Sequence, residues 1–425
     1  MVFANGLFID VGVSLTAAKI VLIGFMPSMV MGRTPISLIG PDRGLVLLFL
    51  AYGLLVTAIL GLTLPYVPTA DFEGRVRWRW VIQAGSFGLS VLPYFLCLGL
   101  VRSERGVERI LDMLVVGAAL LAAIGLLQWI LVTQFGIDAF GIAREGLTGR
   151  EFYQASIYIE DYAFSRINSF AREPKDLGTA LALMLPIVIW RTTGVARTLL
   201  LALMSSALVL TYSTTAFILL LLCLACFAPL LYSWRHTRKS LVRGLIVALL
   251  VILPSSLLIQ GEQKALIEDV FDARVLQRLG VLEEYDELAL DFLNAEPRWL
   301  VTGVGAGLTP FFANKYLPTD PVLLSYMDNL TWDPKAGLLR WVAAFGLLGV
   351  ALALGSVVRV ALELKRVAVI SMHDRMATFL VTYLLYVTFA QLLRGVDEFF
   401  WFALGTSAAY VLQARRALSV AGPYK

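Results

Sequence analysis

The chain has 425 residues, 59% of them hydrophobic and 16% charged, with a mean hydropathy of +0.78. So small a polar share cannot coat a water-soluble globule of this length, which excludes a soluble enzyme or binding module. The formal net charge of +4 is spread over short loops between apolar runs, so the basic face that nucleic acid needs is missing and that partner is excluded too.

Runs of roughly 20 apolar residues, enough to cross a hydrocarbon core of about 30 Å, recur along the chain. They predict an all-α polytopic membrane protein of about eleven spans (ten to twelve), in one membrane domain over residues 1–425. In chain order the spans fall near 6–31, 44–66, 80–101, 110–135, 177–190, 198–211, 215–232, 241–259, 337–358, 377–393 and 399–412. MVFANGLFID has no basic stretch leading to a small-residue cleavage site, so the first span is expected to stay in the protein. Cys97, Cys223 and Cys226 lie inside apolar runs and read as small buried hydrophobes rather than a redox or zinc site.

Lys and Arg mark cytoplasmic loops. Arg102, Arg105 and Arg109 mark one, Arg235, Arg238, Lys239 and Arg243 a second, Arg359, Lys365, Arg366 and Arg375 a third, and Arg415 with Arg416 the tail. Residues 136–176 and 260–335 then face outward as two large loops, the second holding thirteen carboxylates against six basic residues. Arg75, Arg77 and Arg79 run against the pattern, because counting back puts their loop outside with Asp71 and Glu73. Within 263–293 the apolar residues Leu266, Val270, Val275, Leu279 and Leu282 recur near a helical period, which predicts an amphipathic helix lying over the membrane domain. Residues 312–335, with Pro318, Pro321 and Pro334, read as an irregular lid or binding loop.

Several charged groups stand at span mouths. Arg166, Arg172, Glu173, Lys175 and Asp176 precede the fifth span, either as an interfacial collar that starts a helix or as an anion site beside a carboxylate. Arg274 and Arg278, four apart, share a helix face from which both reach one phosphate, unless Glu268, Asp269 or Asp272 pair with them. Arg298 leads into GVGAG, where Gly303, Gly305 and Gly307 allow close backbone approach to a ligand; alternating glycines alone are a weak sign. Lys335 sits at the mouth of the ninth span and Arg340 within its first turns, where burying a charge costs about 2.5–3.5 kcal/mol near mid-bilayer, so Arg340 either faces the bundle interior or snorkels outward. Arg394, Asp397 and Glu398 on the last outer turn are expected to pair with one another. The two histidines, His236 and His373, fall in cytoplasmic loops, so an outward-facing site must use carboxylates, and a Ser-His or His-metal mechanism there is excluded.

At these residues the chain resembles the O-antigen polymerase and O-antigen ligase superfamily of bacterial inner-membrane glycosyltransferases. Three stretches carry the likeness: Arg166, Ser169-Phe170 and Glu173-Pro174; Arg278 followed by Pro297 and the GVGAG of 303–307; and AAFGLLGVAL at the ninth span. The ligases' His, followed by Asn, Ser or Gln, then nine residues, then Gly-x-x-Gly, is replaced here, since the register to Gly346 and Gly349 puts Lys335 and Ala336 there. The seventh span reads TYSTTAF, with Thr214 after Ser213 where the family often shows Ser-Arg.

The resemblance implies a multi-pass protein of the bacterial inner membrane working on the periplasmic face. It implies transfer of an undecaprenyl-pyrophosphate-linked glycan to a sugar hydroxyl, with no metal and no cofactor. Glu173 is then the expected general base with Asp176 as fallback. Arg166, Arg172, Arg278 and Arg340, with Arg274, Arg298 and Lys335, are the expected pyrophosphate contacts, since guanidinium donors aimed at a leaving pyrophosphate lower the barrier. A polymerase acting on an acceptor glycan, with a chain-length regulator as partner, is the first expectation. A ligase acting on lipid A core is the alternative, and a polysaccharide or lipid-linked sugar transporter, with charges lining a path, is the second.

Overall fold

The computed structural model describes residues 8–10, 14–16, 40–64, 73–100, 106–135, 137, 156–159, 162–165, 167, 169, 171, 174–233, 284–313, 316, 333–370 and 374–420. In chain order these form β1 (Phe8–Asp10), β2 (Ser14–Thr16), α1 (Leu45–Leu62), α2 (Glu73–Leu100), α3 (Gly106–Phe135), β3 (Ser156–Ile159), β4 (Tyr162–Ser165), α4 (Pro174–Arg191), α5 (Gly194–Leu210) and α6 (Thr214–Ser233). There follow α7 (Glu284–Ala295), α8 (Arg298–Thr302), α9 (Thr309–Ala313), α10 (Gly337–Ile370), α11 (Arg375–Arg394) and α12 (Asp397–Val420). The span expected at 241–259, and most of both expected outer loops, lie outside the described residues.

Among the described residues, five helices are long and apolar enough to cross a membrane: Leu45–Leu62, Trp80–Gly99 within α2, Gly106–Phe135, Gly337–Ile370 and Arg375–Arg394. Their outer faces carry exposed Leu48, Leu55, Ile59, Met113, Val116, Leu347 and Val358, which water would not tolerate in such number and lipid accepts. The chain is a membrane-embedded helical protein. One expectation is corrected: β1 and β2 pair antiparallel, Phe8 opposite Thr16, so residues 8–10 and 14–16 are strand where a helix over 6–31 was expected.

The chain divides into two compact units. The first comprises Met1–Met31 and Glu108–Val281. Its centre is α4, buried without a break from Leu177 to Ile189 apart from half-buried Thr179. Gly178 lets α4 approach the α5–α6 turn, where an added Cβ would stand 2.7 Å from that of Ala216. Buried Gln128 of α3 accepts the Ser169 N–H at 2.9 Å, and Arg191 closes one end of the unit by a two-pronged bond to Asp112 at 2.7 and 3.0 Å.

The second unit comprises Gly32–Val107 and Leu282–Lys425. Helix α1 is apolar all round, and only the stripe Val46, Phe49, Gly53, Thr57, Gly61 is buried, the spacing of one helix face. Its small members admit α2: a Cβ on Gly53 would enter the Phe87 ring and one on Gly61 the Trp80 side chain. Gly405 brings α12 against the Tyr94 backbone in the same way, the small-residue packing that membrane helices use in place of hydrophobic drive. Phe49, Tyr94, Phe379, Tyr383, Tyr386, Phe400 and Trp401 fill the interior.

The residues that carried the amphipathic expectation over 263–293, Leu266 to Leu282, lie outside the described residues; α7, which follows them, is itself amphipathic, with Leu288, Ala289, Phe292 and Leu293 buried and Glu287, Asp291 and Asn294 exposed. Its buried Asp286 accepts the N–H groups of Lys335 and Ala336 at 2.8 and 3.0 Å, satisfying orphan donors where α10 begins. Asp286→Ala is expected to cost about 1–2 kcal/mol through loss of this cap, read as a lower unfolding midpoint in detergent. Glu287→Ala, exposed on the same helix, should stay within about 0.5 kcal/mol of the parent.

The two ends of α10 differ in charge. Near its C-terminal end Glu363, 7% exposed in its side chain, holds Arg366 at 3.0 Å and Arg415 at 2.6 Å, with Arg359 at 3.9 Å. Arg340, at the other end, lies 23 positions earlier in the chain, roughly 30–35 Å along the axis at 1.5 Å per residue, which is one hydrocarbon thickness.

Candidate functional site

At the Arg340 end the second unit encloses a cavity of about 160 Å³. Its lining comes from Phe49 of α1, Gln83, Ser86, Phe87 and Ser90 of α2, Ala306 and Gly307 after α8, Asp333 ahead of α10, Arg340, Trp341, Ala344 and Phe345 of α10, and Asp397, Glu398 and Trp401 of α12. The aromatic wall is braced edge to face, Phe49 to Phe345 at 5.1 Å and Phe49 to Phe87 at 5.5 Å between centroids, an arrangement aromatic quadrupoles prefer.

Asp397 organises the polar wall. It forms an ion pair with Arg340 through Oδ2, while its Oδ1 accepts the Trp341 Nε1–H at 3.0 Å and the Gln391 Nε2–H at 2.6 Å. Both oxygens are thus fixed by donors from two neighbouring helices, and Asp397 in the first turn of α12 also meets the positive end of that helix. Gly395, at φ 60, makes room: any side chain there would run into the Arg340 guanidinium. Asp333 and Glu398 add to the negative potential at Arg340. Three carboxylates therefore face one guanidinium in the lining.

The floor is built by a break in α10. Gly346 has φ 62 and ψ −178, a conformation that interrupts the i→i−4 ladder and strips the preceding turn of its usual donors. The carbonyls of Ala343 and Ala344 accept instead from the N–H groups of Val304 and Gly305 at 2.9 and 2.8 Å. The Ala306 N–H goes to Thr57 Oγ1 at 2.9 Å, and the Tyr52 hydroxyl donates to the Thr302 carbonyl at 2.7 Å. The GVGAG segment is irregular backbone whose N–H groups from Gly303 to Ala306 are met by protein, the condition under which lipid tolerates such backbone. Its glycines serve backbone contact with α10 and α1: a Cβ on Gly303 would meet the backbone of Ala344 and Phe345, and one on Gly305 that of Thr57.

Among the described residues, Arg340 is the one expected pyrophosphate contact that lines the cavity, together with Gly307, Asp397 and Glu398, which the sequence had also marked. Lys335 holds its ammonium 5.4 Å from the centroid of the Tyr285 ring, and Arg298 pairs with Glu296 at 2.7 Å while lying over Trp299. Asp176 is half-buried in the first turn of α4, in the first unit, with Lys175 exposed beside it. Arg166, Arg172, Glu173, Arg274 and Arg278 lie outside the described residues. Asp397 bonds Arg340, where the sequence suggested pairing among Arg394, Asp397 and Glu398. The sequence did not single out Asp333, Trp341 or Trp401; charge and tryptophan recurring together at two helix mouths was the available signal. Among the described residues no group of three or more His, Cys, Asp or Glu is disposed to hold a metal ion.

A lining of this kind offers carboxylate and serine acceptors for hydroxyl groups beside aromatic faces for an apolar ring surface. A diphosphate would meet three carboxylates, against a guanidinium already engaged. No protein-family model matches the chain, and no curated protein matches it.

Proposed function

We propose that the chain is a membrane glycosyltransferase that moves a glycan from a polyprenyl-pyrophosphate carrier to a sugar hydroxyl, the acceptor entering the cavity of the second unit. The observation that carries this reading is a ring-sized cavity walled by carboxylates and aromatic side chains at one polar end of a helical membrane unit. In the reaction the acceptor oxygen attacks the anomeric carbon, the bond from that carbon to the pyrophosphate oxygen breaks with its electron pair, and the hydroxyl proton passes to a carboxylate. Among the lining carboxylates Asp397 holds Arg340, Trp341 and Gln391, and Glu398 and Asp333 are assigned the base role there, beside Glu173 and Asp176, the bases that the resemblance suggests. The pyrophosphate contacts are those that the family resemblance suggests, of which Arg166, Arg172, Arg274 and Arg278 lie outside the described residues. Polymerase and ligase differ here only in acceptor, a growing glycan or lipid A core, and a bacterial inner membrane with a periplasmic site is part of the same reading.

The test is reconstitution in liposomes with undecaprenyl-pyrophosphate-linked repeat units, followed by gel analysis of glycan length. A ladder that Glu398→Gln reduces at least about tenfold, as loss of a general base predicts, supports the polymerase. Transfer seen only when lipid A core is added supports the ligase. A second reading, a transporter of lipid-linked sugars, is favoured by one feature, the α10 break at Gly346 beside an inserted loop, a device of transporter sites. Appearance of intact lipid-linked glycan in the opposite leaflet with no new linkage would select it.

A further inference from the structure

We infer that the end of α10 away from the cavity binds the phosphate of an anionic phospholipid headgroup, held by Arg359, Arg366 and Arg415 where they converge on Glu363. This lipid site is independent of the reaction proposed above and of the substrate it takes.

The charge of the cluster is lopsided. Glu363 holds Arg366 of its own helix at 3.0 Å and Arg415 of α12 at 2.6 Å, while Arg359 stops at 3.9 Å. That last distance is beyond hydrogen-bond reach, and the Arg359 Nε has no acceptor among the described residues. One carboxylate thus faces three guanidinium groups and leaves two positive charges unbalanced. Each guanidinium carries a fork of N–H donors, more in sum than one carboxylate can accept, so donors remain for a further anion. The latch between α10 and α12 needs Arg415 alone; Arg359 and Arg366 both belong to α10 and add nothing to it. The next carboxylate along the chain, Asp374, is used to start α11, accepting the Met376 and Ala377 N–H groups at 2.9 and 3.2 Å and the Tyr410 hydroxyl.

Position selects a lipid over a dissolved anion. Val358, Leu362 and Arg366 follow one another four apart along α10, all three exposed, and so line one face of the helix. Apolar surface for an acyl chain therefore leads, turn by turn, to a guanidinium, the order in which a phospholipid presents its tail and its phosphate. Exposed Val369 and Ile370 stand beyond the arginine, which places the cluster within the membrane interface, where long cationic side chains meet headgroups. Arg415 is exposed on the facing helix and Lys365 beside Arg366. A guanidinium fork matches two phosphate oxygens at once. The phosphate of phosphatidylcholine brings a quaternary ammonium that the surplus positive charge repels; that of phosphatidylglycerol does not.

The experiment uses the full chain in detergent and reads binding by microscale thermophoresis, titrating short-chain phosphatidylglycerol or phosphatidylcholine. Each cation beside an anionic headgroup is worth about fivefold in affinity. The two surplus charges are therefore expected to give phosphatidylglycerol a dissociation constant at least about tenfold below that of phosphatidylcholine. Arg359→Gln with Arg366→Gln keeps the contact of Arg415 with Glu363 and should bring the two lipids within about twofold of each other. Arg366→Gln alone, on a side chain 65% exposed, should narrow the gap about fivefold and guards against a double variant that fails to fold. Arg109→Gln removes an exposed cation of the first unit and should leave the preference as it is. Equal binding of the two lipids, a preference that survives both the single and the double variant, or an equal loss in Arg109→Gln overturns the site. Millimolar inorganic phosphate is expected to leave phosphatidylglycerol bound; its displacement would mean that the arginines hold a free anion and overturns the assignment to lipid.

Discussion

Gly346→Ala is expected to cost about 3 kcal/mol or more and to lower the yield of folded protein. Two costs add. At φ 62 and ψ −178 the backbone occupies a region open almost only to glycine, worth about 1–3 kcal/mol for any other residue. The new Cβ would also run into the Val301 carbonyl and the Thr302 nitrogen, backbone atoms that cannot turn aside as a side chain could. Gly303, at φ 71 and ψ 176, answers from the other side against Ala344 and Phe345, so the two glycines let two stretches of backbone cross. Pushing them apart would break the bonds from Val304 and Gly305 to the α10 carbonyls, each group stranded in the membrane at several kcal/mol. Gly85→Ala, with open space around the added Cβ, is the control and should be neutral or gain a few tenths of a kcal/mol in helix propensity. Unfolding midpoints in detergent measure both; a Gly346→Ala midpoint equal to that of Gly85→Ala would show that the crossing does not depend on glycine.

That crossing marks the limit of what the sequence makes legible. Apolar runs find helices well because the bilayer thickness sets one length for all of them. The stretches expected at 44–66 and 110–135 appear as Leu45–Leu62 and Gly106–Phe135. Ends are harder to read. α2 begins at Glu73 although Arg75, Arg77 and Arg79 looked like loop, and α10 continues to Ile370 past the expected 358, because a helix that has left the hydrocarbon continues as long as its i→i−4 bonds do. The break at Gly346 gives no periodic signal, since AAFGLLG stays apolar throughout. GVGAG did announce close backbone approach, yet its partner proved to be the protein's own helix. Arg340 was legible as a charge too costly to leave in lipid. Its partner was not, because Asp397 is 57 positions away and local spacing says nothing across such a distance.

The pair itself carries the second large effect. Arg340→Gln is expected to cost about 2–3 kcal/mol, below the 3–5 kcal/mol of a fully buried pair because the two side chains are 27% and 25% exposed. The cost arises less from the lost attraction than from Asp397, left charged beside Trp341 and Gln391 with the lining more negative still. Asp397→Asn alone strands the guanidinium in turn and should cost a similar amount. The double variant Arg340→Gln with Asp397→Asn removes both charges together, keeps hydrogen-bonding groups for Trp341 and Gln391, and should be more stable than either single variant, giving a coupling energy of about 1.5 kcal/mol or more. Chemical or thermal unfolding of the four proteins in one detergent completes the cycle. Additive losses would mean that Arg340 and Asp397 act independently and that the polar wall is not built on their pairing. A rescued double variant that still fails to transfer glycan in liposomes would separate the two things the pair does, holding α10 to α12 and shaping the cavity for a guest.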